Sequence, residues 1–176
     1  MSQLEVRTLL VVEDEPLMLE ALTDILTPLG IEVVQAENAD EAMKVIASKQ
    51  VTAILSDIRM PGFSGLEFLE NLRATGNNIP IVFLSASSER ANLHRAMQLG
   101  AIDFIEKPFE AEHLKEVVFK LLEIGVRHHE IQQLQSSSPA NATPAPTENS
   151  GKTETITKKN KIINLLRIKL PWQKSS

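Results

Sequence analysis

Apolar runs of five or six residues alternate with segments of helical periodicity over the first 125 positions of the chain. The runs are rich in Val, Ile and Leu, as buried strands are, and the segments between them repeat apolar residues three and four positions apart, which predicts amphipathic helices. Strands are predicted at 8–12, 31–36, 51–56, 79–84 and 101–105. Helices are predicted at 16–26, 40–48, 66–73 and 88–99, and a fifth follows position 109 and reaches about 123.

Residues that cap or stop helices support these boundaries. Asn38 is a plausible N-cap for the second helix, and Gly100 follows the fourth. Five strands and five helices in strict alternation predict a doubly wound α/β fold, in which helices cover both faces of a five-stranded parallel sheet. The apolar positions expected on the first helix are Leu17, Leu19, Leu22, Ile25 and Leu26.

The composition changes after about residue 135. Ser, Pro, Ala, Thr and Asn dominate from there to about 155, which predicts a flexible linker, and apolar residues return with lysines in the last segment. Residues 1–150 carry 11 Lys and Arg against 22 Asp and Glu, whereas residues 151–176 carry 7 against 1. The expected organisation is a core domain at 7–124, a helical extension at 125–135, a linker at 136–155 and a basic, mostly disordered tail at 156–176.

Composition also excludes some classes of protein. The chain has no cysteine, so it has neither disulfides nor thiolate metal sites. The first residues lack the basic start and apolar stretch of a signal peptide, and no apolar run is long enough to cross a bilayer. A cytoplasmic protein is therefore expected.

Polar side chains follow the predicted strands at one edge of the sheet. Glu13 and Asp14 follow the first strand, Asp57 the third, Ser85 the fourth and Lys107 the fifth. The carboxyl ends of parallel strands share one edge, where ligands bind, so we expect these groups to meet there. Taken singly, each of them has an ordinary structural explanation as a cap or a surface residue. One such group per successive strand is much harder to explain by structure alone.

This combination of side chains suits phosphoryl transfer to an aspartate. Neighbouring carboxylates repel one another unless a cation intervenes, and their hard oxygens favour Mg²⁺. Asp57 is then the expected nucleophile, and Lys107 and Ser85 are the expected donors to the phosphoryl oxygens. Ala86, beside Ser85, leaves room for the group.

Four stretches resemble the receiver domain of bacterial two-component response regulators. They are Leu9–Pro16 (LLVVEDEP), Ser56–Gly62 (SDIRMPG), Phe83–Ala86 (FLSA) and Phe104–Phe109 (FIEKPF). The resemblance covers residues 7–124 and implies a flavodoxin-like sheet with strand order 2-1-3-4-5. It also implies a signalling switch, not an enzyme acting on other substrates, that a sensor histidine kinase or phosphotransfer protein phosphorylates.

Residue by residue, the resemblance implies the following roles. Asp14, Asp57 and the backbone carbonyl of Arg59 would ligate Mg²⁺, and Glu13 would assist through water. Ser85 would be the switch hydroxyl and Phe104 the switch aromatic, with the face of the fourth helix, fifth strand and fifth helix meeting partners. The family often has Asp at position 13 and Tyr at position 104. An ordinary core aromatic remains the alternative for Phe104.

Other functions have weaker support in the sequence. A degenerate receiver that binds partners without phosphorylation is the main alternative. No glycine-rich phosphate loop follows the first strand, which argues against a flavin cofactor, and Arg59 stands where a phosphatase would have a second acid. No cofactor other than Mg²⁺ is expected.

The basic tail leaves several interpretations open. A docking peptide for an unknown downstream protein comes first, because apolar and basic residues alternate around Trp172. A membrane-surface segment comes second. Nucleic-acid binding has the least support, because no folded reader accompanies the tail. The tail could also fold back on the acidic domain.

Overall fold

The computed structural model describes residues 7–86 and 90–136. Apart from Ser136, the predicted linker lies outside the described residues, as do the predicted tail and the predicted start of the fourth helix at 88. The residues up to Val126 belong to one compact unit, and of a second unit, Arg127–Ser176, the last turns of one helix are described. The elements are β1 (Thr8–Val12), α1 (Pro16–Leu26), a 3₁₀ turn (Thr27–Leu29), β2 (Glu32–Ala36), α2 (Ala39–Ser48), β3 (Ala53–Asp57), α3 (Gly65–Ala74), β4 (Ile81–Ala86), α4 (Arg90–Gln98), β5 (Asp103–Lys107) and α5 (Ala111–Ser136).

The five strands form one parallel sheet in the order β2-β1-β3-β4-β5. The predicted fold class and strand order are confirmed. The order reverses between β1 and β3, where the chain crosses from one half of the sheet to the other. In a doubly wound sheet this crossing opens a crevice at the carboxyl ends of the strands. The polar residues that follow β1 and β3 lie at this crevice.

Alternate residues of each strand enter one of two apolar cores. Leu10, Ile54 and Phe83 belong to the core that α2, α3 and α4 complete. Leu9 and Leu55 point to the other side, where α1 and α5 cover the sheet. Because both faces are covered, the central strands β1, β3 and β4 are buried along nearly their whole length.

The first helix buries a narrower face than the sequence suggested. Leu19, Leu22 and Leu26 are buried, but Leu17, the first of the apolar positions expected on this helix, is 74% exposed. At about 100° per residue, position 17 lies almost opposite position 19 on the helix. The predicted cap of α2 is confirmed, because the side chain of Asn38 accepts a hydrogen bond from the backbone N–H of Glu41 at 2.9 Å.

The fifth helix is longer than predicted. The sequence predicted a fifth helix that reaches about position 123 and a helical extension at 125–135, and in the structure the two form one continuous helix to Ser136. At Gly125, inside this helix, the backbone passes close to Thr52, the residue before β3. A Cβ atom there would lie 2.1 Å from the carbonyl oxygen of Thr52. The glycine thus permits close packing rather than ending the helix.

Candidate functional site

The carboxyl ends of β1, β3 and β5 bring an amine between two carboxylates. Lys107, the last residue of β5, donates a 2.9 Å hydrogen bond from Nζ to Oε2 of Glu13. The same nitrogen lies 3.1 Å from Oδ2 of Asp57, the last residue of β3. Glu13 is 2% exposed and Asp57 is 8% exposed, so both acids are largely removed from water. The predicted meeting of these three residues is confirmed.

Burial and charge act in opposite directions on these groups. Burial raises the pKa of Glu13, and the nearby charge of Asp57 adds to this, while the hydrogen bond from Lys107 lowers it in part. Burial lowers the pKa of Lys107, but its hydrogen bond to Glu13 and the charges of both acids outweigh burial and raise it overall. The amine therefore remains protonated at neutral pH and serves as a fixed cation in the crevice.

Three carboxylates converge beside this amine. One oxygen each from Glu13, Asp14 and Asp57 lies within 4.8 Å of the others, and Asp14 is the most accessible of the three. All the donors are hard carboxylate oxygens, which is the chemistry that Mg²⁺ and Ca²⁺ prefer. The side chains present therefore fit a hard divalent cation.

The loop after β3 fixes the carboxylate of Asp57. The backbone N–H of Arg59 donates to its Oδ1 at 3.3 Å. Behind the strand end, α3 begins so close that a Cβ atom on Gly65 would lie 2.4 Å from the carbonyl oxygen of Asp57. Ser64 caps this helix in a capping box with Glu67, which the sequence analysis missed although Ser-x-x-Glu is a recognisable signal.

Ser85 is completely buried at the end of β4. Among the described residues its Oγ has no hydrogen-bond partner, and it is the one buried side-chain polar atom in that condition there. A buried hydroxyl without a partner costs free energy, and such atoms cluster where a ligand or a moving group completes the bonding. Ser85 belongs to the strand next to the one that ends at Asp57.

Phe104 is an exposed aromatic rather than a core residue. Its side chain is 40% exposed on β5. A groove of about 370 Å³ lies beside it. The groove is lined by Ser85, Ala86, Leu93, His94, Met97, Phe104 and Glu106. The interpretation of Phe104 as an ordinary core aromatic is therefore wrong for this conformation.

Among the described residues, no helix is both long enough and apolar enough to cross a membrane.

Fold and site together define a class of protein: a flavodoxin-like domain with an acidic, lysine-containing crevice. Residues 9–119 match the family model described as the response regulator receiver domain. The chain belongs to this family. Receiver domains are the signalling modules of two-component systems, in which signals pass by phosphoryl transfer.

Proteins from several bacteria are similar to this chain. Nodulation protein W of Bradyrhizobium diazoefficiens is 32% identical over 123 residues, which are 70% of this chain and 54% of that protein. The transcriptional regulatory protein DltR of Streptococcus agalactiae is 40% identical over 106 residues, which are 60% of this chain and 47% of DltR. The chain thus spans about half the length of these curated relatives.

Solved receiver structures have the same fold. The crystal structure of FixJ-N matches with a TM-score of 0.64 and 31% identity, over 68% of this chain and 96% of that one. The receiver domain of NtrX from Brucella abortus matches with a TM-score of 0.62 and 32% identity, over 65% and 98% of the two chains.

Proposed function

We propose that this protein is a phosphorylation-dependent signalling switch that accepts a phosphoryl group on Asp57. The observation that carries the proposal is the position of Lys107 between Glu13 and Asp57, with the unpaired Ser85 hydroxyl at the end of the adjacent strand. The donor is a sensor histidine kinase or a phosphotransfer protein in the cytoplasm. The chain catalyses only the gain and loss of its own phosphoryl group.

The transfer forms an acyl phosphate on the side chain. A carboxylate oxygen of Asp57 bonds to phosphorus while the bond from phosphorus to the donor imidazole nitrogen breaks. That nitrogen keeps the electron pair and is free to take a proton. The N–H of Arg59 and the ammonium of Lys107 hold the Asp57 carboxylate in one orientation, which fixes the direction of attack.

A divalent cation completes the charge balance. Asp14, Asp57 and the backbone carbonyl of Arg59 are the proposed ligands, and Glu13 would assist through water. Mg²⁺, when bound, neutralises the charge that develops on the phosphoryl oxygens. Lys107 donates to the same oxygens once its ammonium leaves Asp57. Its hydrogen bond to Glu13 keeps the amine in the crevice.

The Ser85 hydroxyl is the proposed switch group. It has an unused donor at a strand end, and a phosphoryl group adds strong acceptor oxygens nearby. Phe104 is the proposed second switch residue, because its exposed ring borders the groove that also reaches Ser85. A shift of Ser85 toward the phosphoryl group would change the groove that Phe104 can enter.

Intact-mass measurement tests the phosphorylation directly. The full chain and its Asp57→Asn variant are incubated with acetyl phosphate and Mg²⁺, and with Mg²⁺ replaced by a chelator. We expect a phosphate-sized gain in mass for the wild type with Mg²⁺ and for neither control. A folded wild type that gains no mass with several small donors would point instead to a degenerate receiver that works as a binding module.

The proposed output is protein–protein interaction. The relatives named as transcriptional regulators are about twice as long as the segment that they share with this chain. We therefore do not propose their activity for this chain. In the proposed organisation the receiver (7–124) is followed by a helical extension (125–135), a linker (136–155) and a basic tail (156–176) that docks on a downstream protein. Co-sedimentation of the full chain with anionic vesicles is the check: salt-sensitive binding would favour a membrane-surface tail instead.

A further inference from the structure

Helix α4 has few apolar anchors. Of its described side chains, Leu93 and Ala96 are the buried apolar ones. Helix α3, which is one residue longer, buries Leu66, Phe68, Leu69 and Leu72. Because attachment by the hydrophobic effect scales with the apolar area buried, α4 is held to the sheet more weakly than α3. The groove of about 370 Å³ between α4 and β5 also leaves space on one side of the helix.

Arg73 links the C-terminal end of this helix to the end of α3, beside the backbone hydrogen bond from Ile102 to Ile81 that ties the following segment to β4. Arg73, in the last turn of α3, donates from Nε to the carbonyl of Leu99 at 3.3 Å and from Nη2 to the carbonyl of Gly100 at 3.1 Å. Its Nη1 donates to the carbonyls of Asn77 and Ile79 at 3.0 and 3.1 Å. One planar guanidinium thus joins the carbonyls that follow α4 to the loop that enters β4.

The positive charge of Arg73 also stabilises the C-terminal end of α4. The last carbonyls of a helix have no intrahelical partner and carry partial negative charge, which a cation stabilises. All four partners of Arg73 are neutral carbonyls. The bonds to Leu99, Asn77 and Ile79 are partly buried, whereas the bond to Gly100 is exposed. A second link, the ion pair of Arg95 with Glu70, joins α4 to α3 on the exposed surface and contributes little.

We propose that Arg73 is a positioning residue that makes the C-terminal end of α4 a fixed pivot. On phosphorylation the helix then moves at its N-terminal end. The proposal rests on the proposed function, because Ser85 is the group that would start the movement. Strand β4, which carries Ser85, ends at Ala86, and α4 begins at Arg90. The end of α4 nearest the site is therefore joined to Ser85 by a short connection, and the far end is held by Arg73.

Hydrogen–deuterium exchange of the full chain tests the pivot. In Arg73→Met we expect exchange in 92–100 and in 77–80 to quicken on the order of 10- to 100-fold, while β1 and β3 change little. Arg73→Lys keeps the charge but not the fork of donors, so its effect should be intermediate and it is expected to fold if the Met variant does not. The matched control, Glu70→Gln, should change exchange less than about fivefold.

The response to a phosphodonor gives the second measurement. With acetyl phosphate and Mg²⁺, the wild type should change exchange at 90–94 and not at 98–100, whereas Arg73→Met should change it at both ends. Equal change at both ends of the wild-type helix would overturn the pivot, as would equal quickening of α4 and the sheet in Arg73→Met. Intact mass is recorded on the same samples: no phosphate gain refutes the proposed function, while exchange without the donor still tests the anchor.

Discussion

Replacing Lys107 by Met is the sharpest test of the electrostatics in the crevice. Methionine keeps most of the length and the apolar stem of lysine but removes the ammonium. The wild-type nitrogen lies 2.9 Å from Glu13 and 3.1 Å from Asp57, and the variant leaves these two acids facing each other. We expect the metal-free variant to be less stable at neutral pH because the repulsion is no longer compensated.

The magnitude follows from burial and distance. At an effective dielectric constant of about 20, each contact corresponds to roughly 5 kcal/mol of attraction, which the dehydration of three charged groups opposes. Removing one partner of a fully buried pair costs about 3–5 kcal/mol. The Lys107 side chain keeps 24% of its exposure, and Glu13 can relieve the repulsion by taking up a proton. The expected loss in free energy of unfolding is therefore about 1–3 kcal/mol.

Urea unfolding in a chelator measures this loss. The matched control is Lys115→Met, which removes the ion-pair partner of the exposed Glu112 and should cost no more than about 0.5 kcal/mol. Excess Mg²⁺ should narrow the difference between wild type and Lys107→Met, because the metal supplies the missing positive charge and stabilises the state that binds it. Equal stability of the two proteins without metal would refute the reasoning.

The stability difference between wild type and Lys107→Met should also depend on pH. The raised pKa of Lys107 means that its contribution is present below 10.5 and is lost as pH rises through its folded value, above 10.5. A raised pKa of Glu13 destabilises the folded state only above 4.5, as that acid ionises. The difference between wild type and variant should therefore be largest near neutral pH and shrink at both extremes. A difference that stays constant with pH would contradict this account.

Two further substitutions test the strand ends. Ser85→Ala should leave the free energy of unfolding unchanged or raise it by up to about 1 kcal/mol, because it removes a buried hydroxyl without a partner. Urea unfolding measures the change. A loss above about 1 kcal/mol would mean that the hydroxyl is already hydrogen-bonded. Gly65→Ala should destabilise the protein by roughly 1–3 kcal/mol, because its Cβ meets the Asp57 carbonyl at 2.4 Å. Unchanged thermal unfolding of Gly65→Ala would show that α3 can shift without cost.

Much of the fold could be predicted from periodicity. Alternation of strand and helix patterns was enough for the fold class, and the polar residue after each central strand was enough for the site. The sheet brings Glu13, Asp57 and Lys107 together because parallel strands that start at one edge must end at the other. The cap at Asn38 was predictable for a local reason, since it acts within four residues of its own position.

Other features depend on distant contacts and have no local signal. Arg73 looks like a surface residue at the end of a helix, yet its partners include Leu99 and Gly100, which lie far away in sequence. Gly125 has no local signal for its role, because the reason that a side chain is excluded there is its closeness to Thr52, which lies far away in sequence. Leu17 is apolar and lies in the first turn of α1, but its position on the helix, almost opposite Leu19, leaves it exposed.

Lys107 is far along the chain from its two ion-pair partners, Glu13 and Asp57, and this separation determines when the site can form. Lys107 lies 94 residues after Glu13 and 50 after Asp57, on β5, which is the last strand in the sequence and stands at one edge of the sheet. Contacts between such distant residues form late and require most of the chain. During synthesis the acids are made well before the amine that neutralises them. A chain stopped before β5 would hold the acids without the amine, so the crevice becomes competent only after β5 has joined the sheet.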